Sequence, residues 1–162
     1  MKNTLYLISN EKIFQNNEMF FCDNLDMKST PEGLNKHFDV KIIARKSKVN
    51  RLQKLNLRTI KTFSNILSYV LEVIKLSKHN NSQFLIISLN PFTFLAGIVL
   101  ILLGRKPYLY LRSNGYDEYK IILGFLGKFI YHLMFTIITR FSILISCSCL
   151  LYTSPSPRDS CA

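Results

Sequence analysis

The chain has 162 residues, 48% of them apolar and 19% charged, and its 21 Lys and Arg against 10 Asp and Glu give a formal net charge of +11. This apolar content excludes an intrinsically disordered chain, and the length suits one domain with a real core rather than two. With six Gly, five Pro and no Trp, the composition also excludes collagen-like and low-complexity proteins.

Short apolar runs predict five buried strands, at residues 5–9, 40–44, 84–88, 108–112 and 143–146. Apart from Lys41 and the polar residues that end some of them, the runs are apolar instead of alternating, which is typical of strands covered on both faces in a parallel sheet. Helical patterns lie between the runs. The clearest has an apolar stripe at helical spacing, formed by Phe63, Ile66, Leu67, Val70, Leu71 and Ile74. The sequence therefore predicts an α/β fold with a Rossmann-like open parallel sheet and helices on both faces.

Residues 84–104 are apolar over nearly the length of a transmembrane helix. Asn90 and Pro91 interrupt the stretch, and because Asn is a good N-cap and Pro favours the first helical turn, we expect a strand, a turn and then a helix. A second apolar stretch, residues 121–138, contains Lys128 and His132. A small membrane-associated protein with two apolar helices at these stretches stays open as an alternative.

Polar residues follow the predicted strands, at the edge where doubly wound sheets bind ligands. Asn10 and Glu11 follow the first strand, and Asn90 follows the third. The fourth strand ends in a denser polar cluster, and we expect its members to contact a substrate: Arg112, Asn114, Gly115, Tyr116 and Glu118. Capping of the next helix is the alternative explanation, because carboxylates such as Glu118 are favourable near a helix N-terminus.

Residues 40–71 contain eight Lys or Arg and no Asp or Glu. Such a segment suits an anionic membrane surface or nucleic-acid phosphates. Nucleic-acid binders usually interleave aromatic side chains for stacking, and this segment has none before Phe63. We therefore expect the membrane surface rather than nucleic acid, with a solvated basic loop and a basic nucleic-acid-binding α/β domain as alternatives.

Several kinds of chemistry have no sequence support. The chain lacks the dinucleotide-binding, P-loop and nucleophile-elbow motifs, and its three His are isolated. Its four Cys have no zinc-ligand spacing, so we expect no metal site. The first apolar run is too short for a secretory signal, which favours a cytoplasmic protein with reduced thiols. No catalytic residue is identified.

The segment Tyr-Leu-Tyr-Leu-Arg-Ser-Asn-Gly-Tyr-Asp-Glu-Tyr at 108–119, followed by Leu-Gly-Phe-Leu-Gly at 123–127, resembles the N-terminal domain of bacterial GT-B glycosyltransferases of the family-4 type. Residues 5–9 and 38–45 are similar to the first two strands of that domain, so the likeness covers residues 1–147. One departure is that residues 10–14 stand where many members of the family have a Gly-rich loop.

The resemblance implies an enzyme that transfers a sugar from a nucleotide-sugar donor to an envelope or lipid-linked glycan acceptor. The first of two Rossmann-like domains would bind the acceptor and the second the donor, with no cofactor beyond the donor substrate. Arg112, Asn114 and Glu118 would orient substrate and neutralise phosphate charge. The basic segment agrees with a peripheral position at the inner face of the membrane.

The Ser/Pro-rich residues 148–162 resemble translated read-through of a sequencing adapter, and we expect them to be a non-native or disordered tail. The donor-binding C-terminal domain implied by the resemblance is missing from the chain. We therefore expect a fragment that is inactive alone, consisting of an acceptor-side domain at residues 1–147.

Overall fold

The computed structural model describes residues 2–79 and 81–146, and the predicted tail at 148–162 lies outside these ranges, as do Cys147, Cys149 and Cys161. The described elements are, in chain order, β1 (Thr4–Asn16), β2 (Met19–Cys22), α1 (Leu25–Leu34), β3 (Asp39–Lys46), β4 (Gln53–Leu55), β5 (Thr59–Phe63), α2 (Ile66–Ser77), β6 (Ser82–Ile87), α3 (Pro91–Leu102), β7 (Tyr108–Leu111), α4 (Gly115–Phe141) and β8 (Ile143–Ser146).

Six strands pair in parallel, in the spatial order β5-β3-β1-β6-β7-β8. Numbered among themselves along the chain, they run 3-2-1-4-5-6, which is the order of a doubly wound Rossmann sheet. The predicted α/β, Rossmann-like fold is confirmed. The sheet is mixed rather than wholly parallel, because β2 pairs antiparallel with the end of β1 and β4 pairs antiparallel with β2.

The first strand is longer than predicted. It continues beyond Ser9 to Asn16, with an irregularity in its pairing to β3 between Ile8 and Lys12. A two-residue turn that begins at Asn17, whose φ is 51°, then returns the chain into β2. Because Asn tolerates the left-handed conformation well, it suits this hairpin turn. The predicted loop at Asn10 and Glu11 is therefore wrong, since both residues lie within β1.

Helices cover both faces of the sheet, as predicted. On one face α2, α3 and α4 contribute Tyr69, Leu100 and Tyr131 to a core against the strands. On the other face α1 contributes Met27, together with residues of β2 and β4. The central strands are therefore buried on both sides, which explains why they are apolar throughout.

Helix α2 is confirmed, but it presents a different face to the sheet from the one predicted. Tyr69, Val73 and Leu76 are buried, whereas Leu67 and Leu71 are 75% and 64% exposed. Phe63 belongs to β5, a strand that the apolar pattern did not predict. Only two residues separate the end of β5 from the start of α2, so the direction of β5 determines which face of the helix turns towards the sheet.

The apolar stretch at 84–104 divides at Asn90, as predicted. Its first part is the central strand β6 and its second part is the 12-residue helix α3. A strand and a helix of this length do not form a bilayer-spanning helix. The second apolar stretch lies in the 27-residue helix α4, which is interrupted at Gly124 by non-helical backbone angles (φ 65°, ψ −146°).

Candidate functional site

A cavity of about 340 Å³ lies at the carboxyl end of β6, beside Ser9, Asn10 and Glu11 of β1, where the pairing between these two strands ends, and we call it the switch-point cavity. The chain connects β1 to strands on one side of the sheet and continues from β6 to the other side, which leaves a crevice between the two strands at this point. Its polar lining includes five of the predicted site residues: Asn10, Glu11, Asn90, Arg112 and Glu118. The structure thus brings together residues separated by up to 108 positions in the sequence.

Arg112 has the least satisfied side chain among the cavity residues. Its Nε and Nη1 atoms are buried and make no hydrogen bond with any described residue. Nη1 lies 3.7 Å from Asp26 Oδ2 of α1, beyond hydrogen-bond distance, and the Arg112 side chain is only 18% exposed. Because unsatisfied buried donors cost about 1–3 kcal/mol, this arrangement favours an added hydrogen-bond acceptor.

Glu11 supplies a carboxylate close to that guanidinium. Burial raises the pKa of Glu11 above its ordinary value, while the nearby charges of Arg112 and Arg51 act in the opposite direction. Its backbone N–H donates to Ser9 Oγ at 3.1 Å, which holds the end of the apolar part of β1. The two charged groups therefore provide an acceptor and a set of donors at one place in the cavity.

Asn90 lines the cavity but also caps α3. Its Oδ1 accepts from the backbone N–H groups of Phe92 and Thr93 at 3.1 and 3.2 Å, and Thr93 Oγ1 accepts from Asn90 N at 3.0 Å. This reciprocal pair is a capping box. The predicted N-cap at Asn90 is therefore confirmed, and the cap places the N-terminus of α3 beside the cavity.

Ser88 also lines the cavity, and its backbone conformation was not predicted. Its φ is 61°, which is uncommon for a residue other than glycine. The conformation is held from both sides, because Ser88 N donates to Tyr110 O at 2.9 Å and Ser88 O accepts from Thr93 Oγ1 at 2.8 Å. The sequence showed only that a polar residue follows the strand, and this does not predict the positive φ of Ser88.

The other three predicted site residues have structural roles outside the switch-point cavity. Asn114 caps α4, since its Oδ1 accepts from Tyr116 N at 3.2 Å. Gly115 is buried against the ring of Tyr131, where a Cβ would overlap the ring. The Tyr116 hydroxyl shares a hydrogen bond of 2.9 Å with His132 Nδ1. The Tyr116 ring packs edge-on against the ring of Tyr131. These contacts fit the capping alternative of the sequence analysis.

A second concavity of about 630 Å³ lies beside the first along the same edge of the sheet. Among the described residues, eight line it, and they include five Lys or Arg and no carboxylate. The cations are Lys12, Arg45, Lys46, Lys48 and Arg51, and the others are Ser47, Val49 and Ser64. We call it the basic cavity. Arg45 connects the two cavities, because its Nη1 donates to Asn10 Oδ1 at 3.4 Å.

An exposed apolar surface surrounds the kink of α4. Residues 121–126 are all exposed, with Ile121 at 85% and Phe125 at 86%, and Ile122 lines the switch-point cavity. We call residues 121–126 together with Phe129 the kink patch. Among the described residues, one helix, Gly115–Phe141, is long and apolar enough to cross a bilayer.

The strand order and the cavity at its switch point define a class of protein, a Rossmann-like α/β domain with a candidate ligand site at the carboxyl edge of its sheet. Comparisons with protein-family models, curated proteins and solved structures gave no match for this chain. Function must therefore be argued from the residues of the site.

Proposed function

We propose that this chain is the acceptor-binding domain of a GT-B type glycosyltransferase, which transfers a sugar from a nucleotide-sugar donor to an envelope or lipid-linked glycan. In this proposal the switch-point cavity binds the acceptor sugar. The nucleotide sugar is held by a second domain that faces the cavity.

The observation that carries the proposal is the unsatisfied Arg112 guanidinium beside the Glu11 carboxylate at the switch point. A sugar hydroxyl is both a donor and an acceptor, so it satisfies Arg112 N–H groups and carboxylates at once. The amide side chain of Asn10 and the carboxylate of Glu118 add further polar contacts in the same cavity. These residues orient the acceptor, which is a contribution to catalysis through positioning.

Acceptor binding is tested with the full chain on an array of bacterial envelope oligosaccharides. We expect at least one glycan to bind, and Arg112→Met to weaken that binding by about tenfold through loss of charge-assisted hydrogen bonds. Arg58→Met is the matched control, because Arg58 is exposed, lines neither cavity and loses the same charge.

The stability of Arg112→Met separates a binding role from a structural one. Because the buried Nε and Nη1 donors of Arg112 make no hydrogen bond with the described residues, their removal should leave the free energy of unfolding equal to or above that of the unaltered protein. A variant that loses stability and glycan binding together, or an unaltered chain that binds no glycan, contradicts the proposal.

A second activity, attachment to an anionic membrane, is favoured by the kink patch. Six consecutive exposed residues, with Lys120 before them and Lys128 after them, form an apolar surface bordered by positive charge. Such a surface inserts at the boundary between headgroups and acyl chains, and basic residues near it attract anionic lipids. The substrate of the proposed transferase would then meet the cavity at the membrane surface.

Flotation with vesicles tests this attachment. We expect the full chain to float with phosphatidylcholine vesicles that contain about 30% phosphatidylserine and to remain behind with phosphatidylcholine alone. Replacing Ile121 and Phe125 by Ser removes apolar area at the patch and abolishes flotation, whereas the same change at the exposed Leu67 and Leu71 of α2 does not. Equal flotation of both variants would contradict attachment through the kink patch.

A further inference from the structure

We propose that the basic cavity is a binding site for the diphosphate group of a small ligand, separate from the switch-point cavity and independent of sugar transfer. The proposal depends on the charges around the cavity, on how they are held and on the size of the concavity.

The positive charge of the basic cavity is poorly compensated within the protein. The side chains of Lys12, Lys46 and Lys48 make no hydrogen bond or ion pair with any described residue. Arg51 is the member with an acidic partner, since its Nη1 pairs with Asp23. Like charges gathered around one concavity repel one another, and an anion bound among them relieves that repulsion.

The cavity is built from fixed backbone as well as from long side chains. Lys12 and Arg45 are direct partners across the parallel β1 and β3 strands, so they are neighbours at one edge. The Arg45 guanidinium lies 4.4 Å from the centroid of the Phe92 ring, a cation–π contact that limits its motion. Arg45 therefore presents a positioned planar donor next to lysines that have no such contact.

Ser47 organises the loop after β3. Its buried hydroxyl donates to Val49 O at 2.9 Å and accepts from Val49 N and Arg51 Nε, each at 3.2 Å. Its backbone N–H donates to Ile13 O at 2.8 Å, which ties the loop to β1. The loop thus holds a defined turn that carries Lys48 and Arg51 at the rim of the cavity.

The size and lining of the cavity favour a compact phosphate ligand over a nucleic-acid strand. A volume of about 630 Å³ accommodates a small molecule, and within residues 2–79 and 81–146 no aromatic side chain lines the cavity as a platform for base stacking. Two adjoining phosphates carry enough negative charge to engage Arg45 and the free lysines together. The diphosphate belongs either to a soluble compound or to the head of a lipid.

Isothermal titration of the full chain with inorganic pyrophosphate and, separately, with farnesyl diphosphate below its micelle concentration tests the proposal. We expect binding that weakens as NaCl rises from about 50 to about 500 mM. Lys46→Gln combined with Lys48→Gln reduces the affinity by about tenfold, since two of the positive charges around the ligand are removed. The matched control combines Lys36→Gln and Lys78→Gln, two exposed lysines that line neither cavity.

The two titrations distinguish the sources of the diphosphate. Similar affinities for both probes indicate a soluble ligand, and farnesyl diphosphate bound about tenfold more tightly indicates a lipid-linked one. The proposal is overturned if neither probe binds, or if the two double variants lose equal affinity for pyrophosphate. It is also overturned if a single-stranded oligonucleotide binds and the two diphosphate probes do not. Arg112→Met should leave pyrophosphate affinity unchanged, so failure here and failure of acceptor binding are separate results.

Discussion

At the residue scale, two partly buried charged side chains, Arg112 and Glu11, define the switch-point cavity. Arg112 comes from the end of β7 and Glu11 from β1, and the electrostatic interaction between them opposes the effect of burial on Glu11. Neither side chain contributes to the apolar cores of the domain. Partly buried charges without full hydrogen bonding lower stability, and their position at a cavity supports the proposal that they bind a ligand.

The pH dependence of stability gives a test of the Glu11 environment. Because the pKa of Glu11 is raised in the folded state, the folded protein holds its proton to higher pH than the unfolded chain does. The contribution of Glu11 to the free energy of unfolding is therefore complete below pH 4.5 and is lost as the pH rises through the folded-state pKa of Glu11. The Glu11→Gln variant does not lose this contribution. The free energy of unfolding of the variant should therefore increase, relative to that of the unaltered protein, as the pH rises above 4.5.

Urea unfolding of both proteins at a series of pH values measures this difference. Glu18→Gln is the control, because Glu18 is exposed in the β1–β2 turn, lies outside the switch-point cavity and loses the same carboxyl group. A Glu11→Gln difference that does not change with pH would show that burial does not affect the Glu11 carboxyl group.

At the element scale, α3 shows how local chemistry positions part of the site. The capping box of Asn90 and Thr93 begins the helix directly after β6, and Pro91 fits the first turn. The same backbone carries Ser88 and Asn90 into the lining of the switch-point cavity. The cap therefore serves both the stability of the helix and the shape of the cavity.

Substitution of the two helix caps measures this contribution. Asn90→Ala should lower the free energy of unfolding by about 1 kcal/mol, because two backbone N–H groups of α3 lose their acceptor. Asn65→Ala is a matched control, since Asn65 is the N-cap of α2 and makes no capping hydrogen bond through its side chain. Denaturant titration of both variants should give a clear difference, and equal losses would contradict a capping role specific to Asn90.

Helix α4 illustrates an element whose local sequence and tertiary role diverge. Its composition fits a membrane span, yet Gly124 interrupts it and a Cβ at Gly127 would overlap the backbone of Tyr119. The part after the kink packs Tyr131, Met134 and Ile138 into the core. One end of the helix thus belongs to the folded domain, while the kink patch stays exposed.

At the scale of the whole molecule, the features that suggest function lie on one edge of the sheet. The basic cavity, the switch-point cavity and Ile122 of the kink patch follow one another along the carboxyl ends of the strands. Arg45 and Asn10 connect the first two through their hydrogen bond. The two cavities are lined by different residues, so acceptor binding and diphosphate binding are tested with separate probes.

The predicted strands and the predicted α3 cap were recognisable because their signals are local. An uninterrupted apolar run indicates burial on both faces, and Asn before Pro indicates a helix start, whatever the rest of the chain does. The extension of β1 through Asn10 and Glu11, the strand β5 and the buried face of α2 were not recognisable. Each of these features depends on pairing or packing with residues that are distant in the chain. The local sequence, where it is polar or only partly apolar, does not indicate which residues those partners are.

The sequence alone determined that this chain forms a doubly wound α/β sheet and that polar residues collect at its carboxyl edge, because strand burial and parallel connection follow from the apolar pattern. Only the tertiary structure decided which of those residues meet. Arg112, Glu11 and Asn90 share one cavity, whereas Asn114, Gly115 and Tyr116 support α4. The physical reason is that strand order and helix packing, which are long-range interactions, set the distances between side chains that are far apart in the chain.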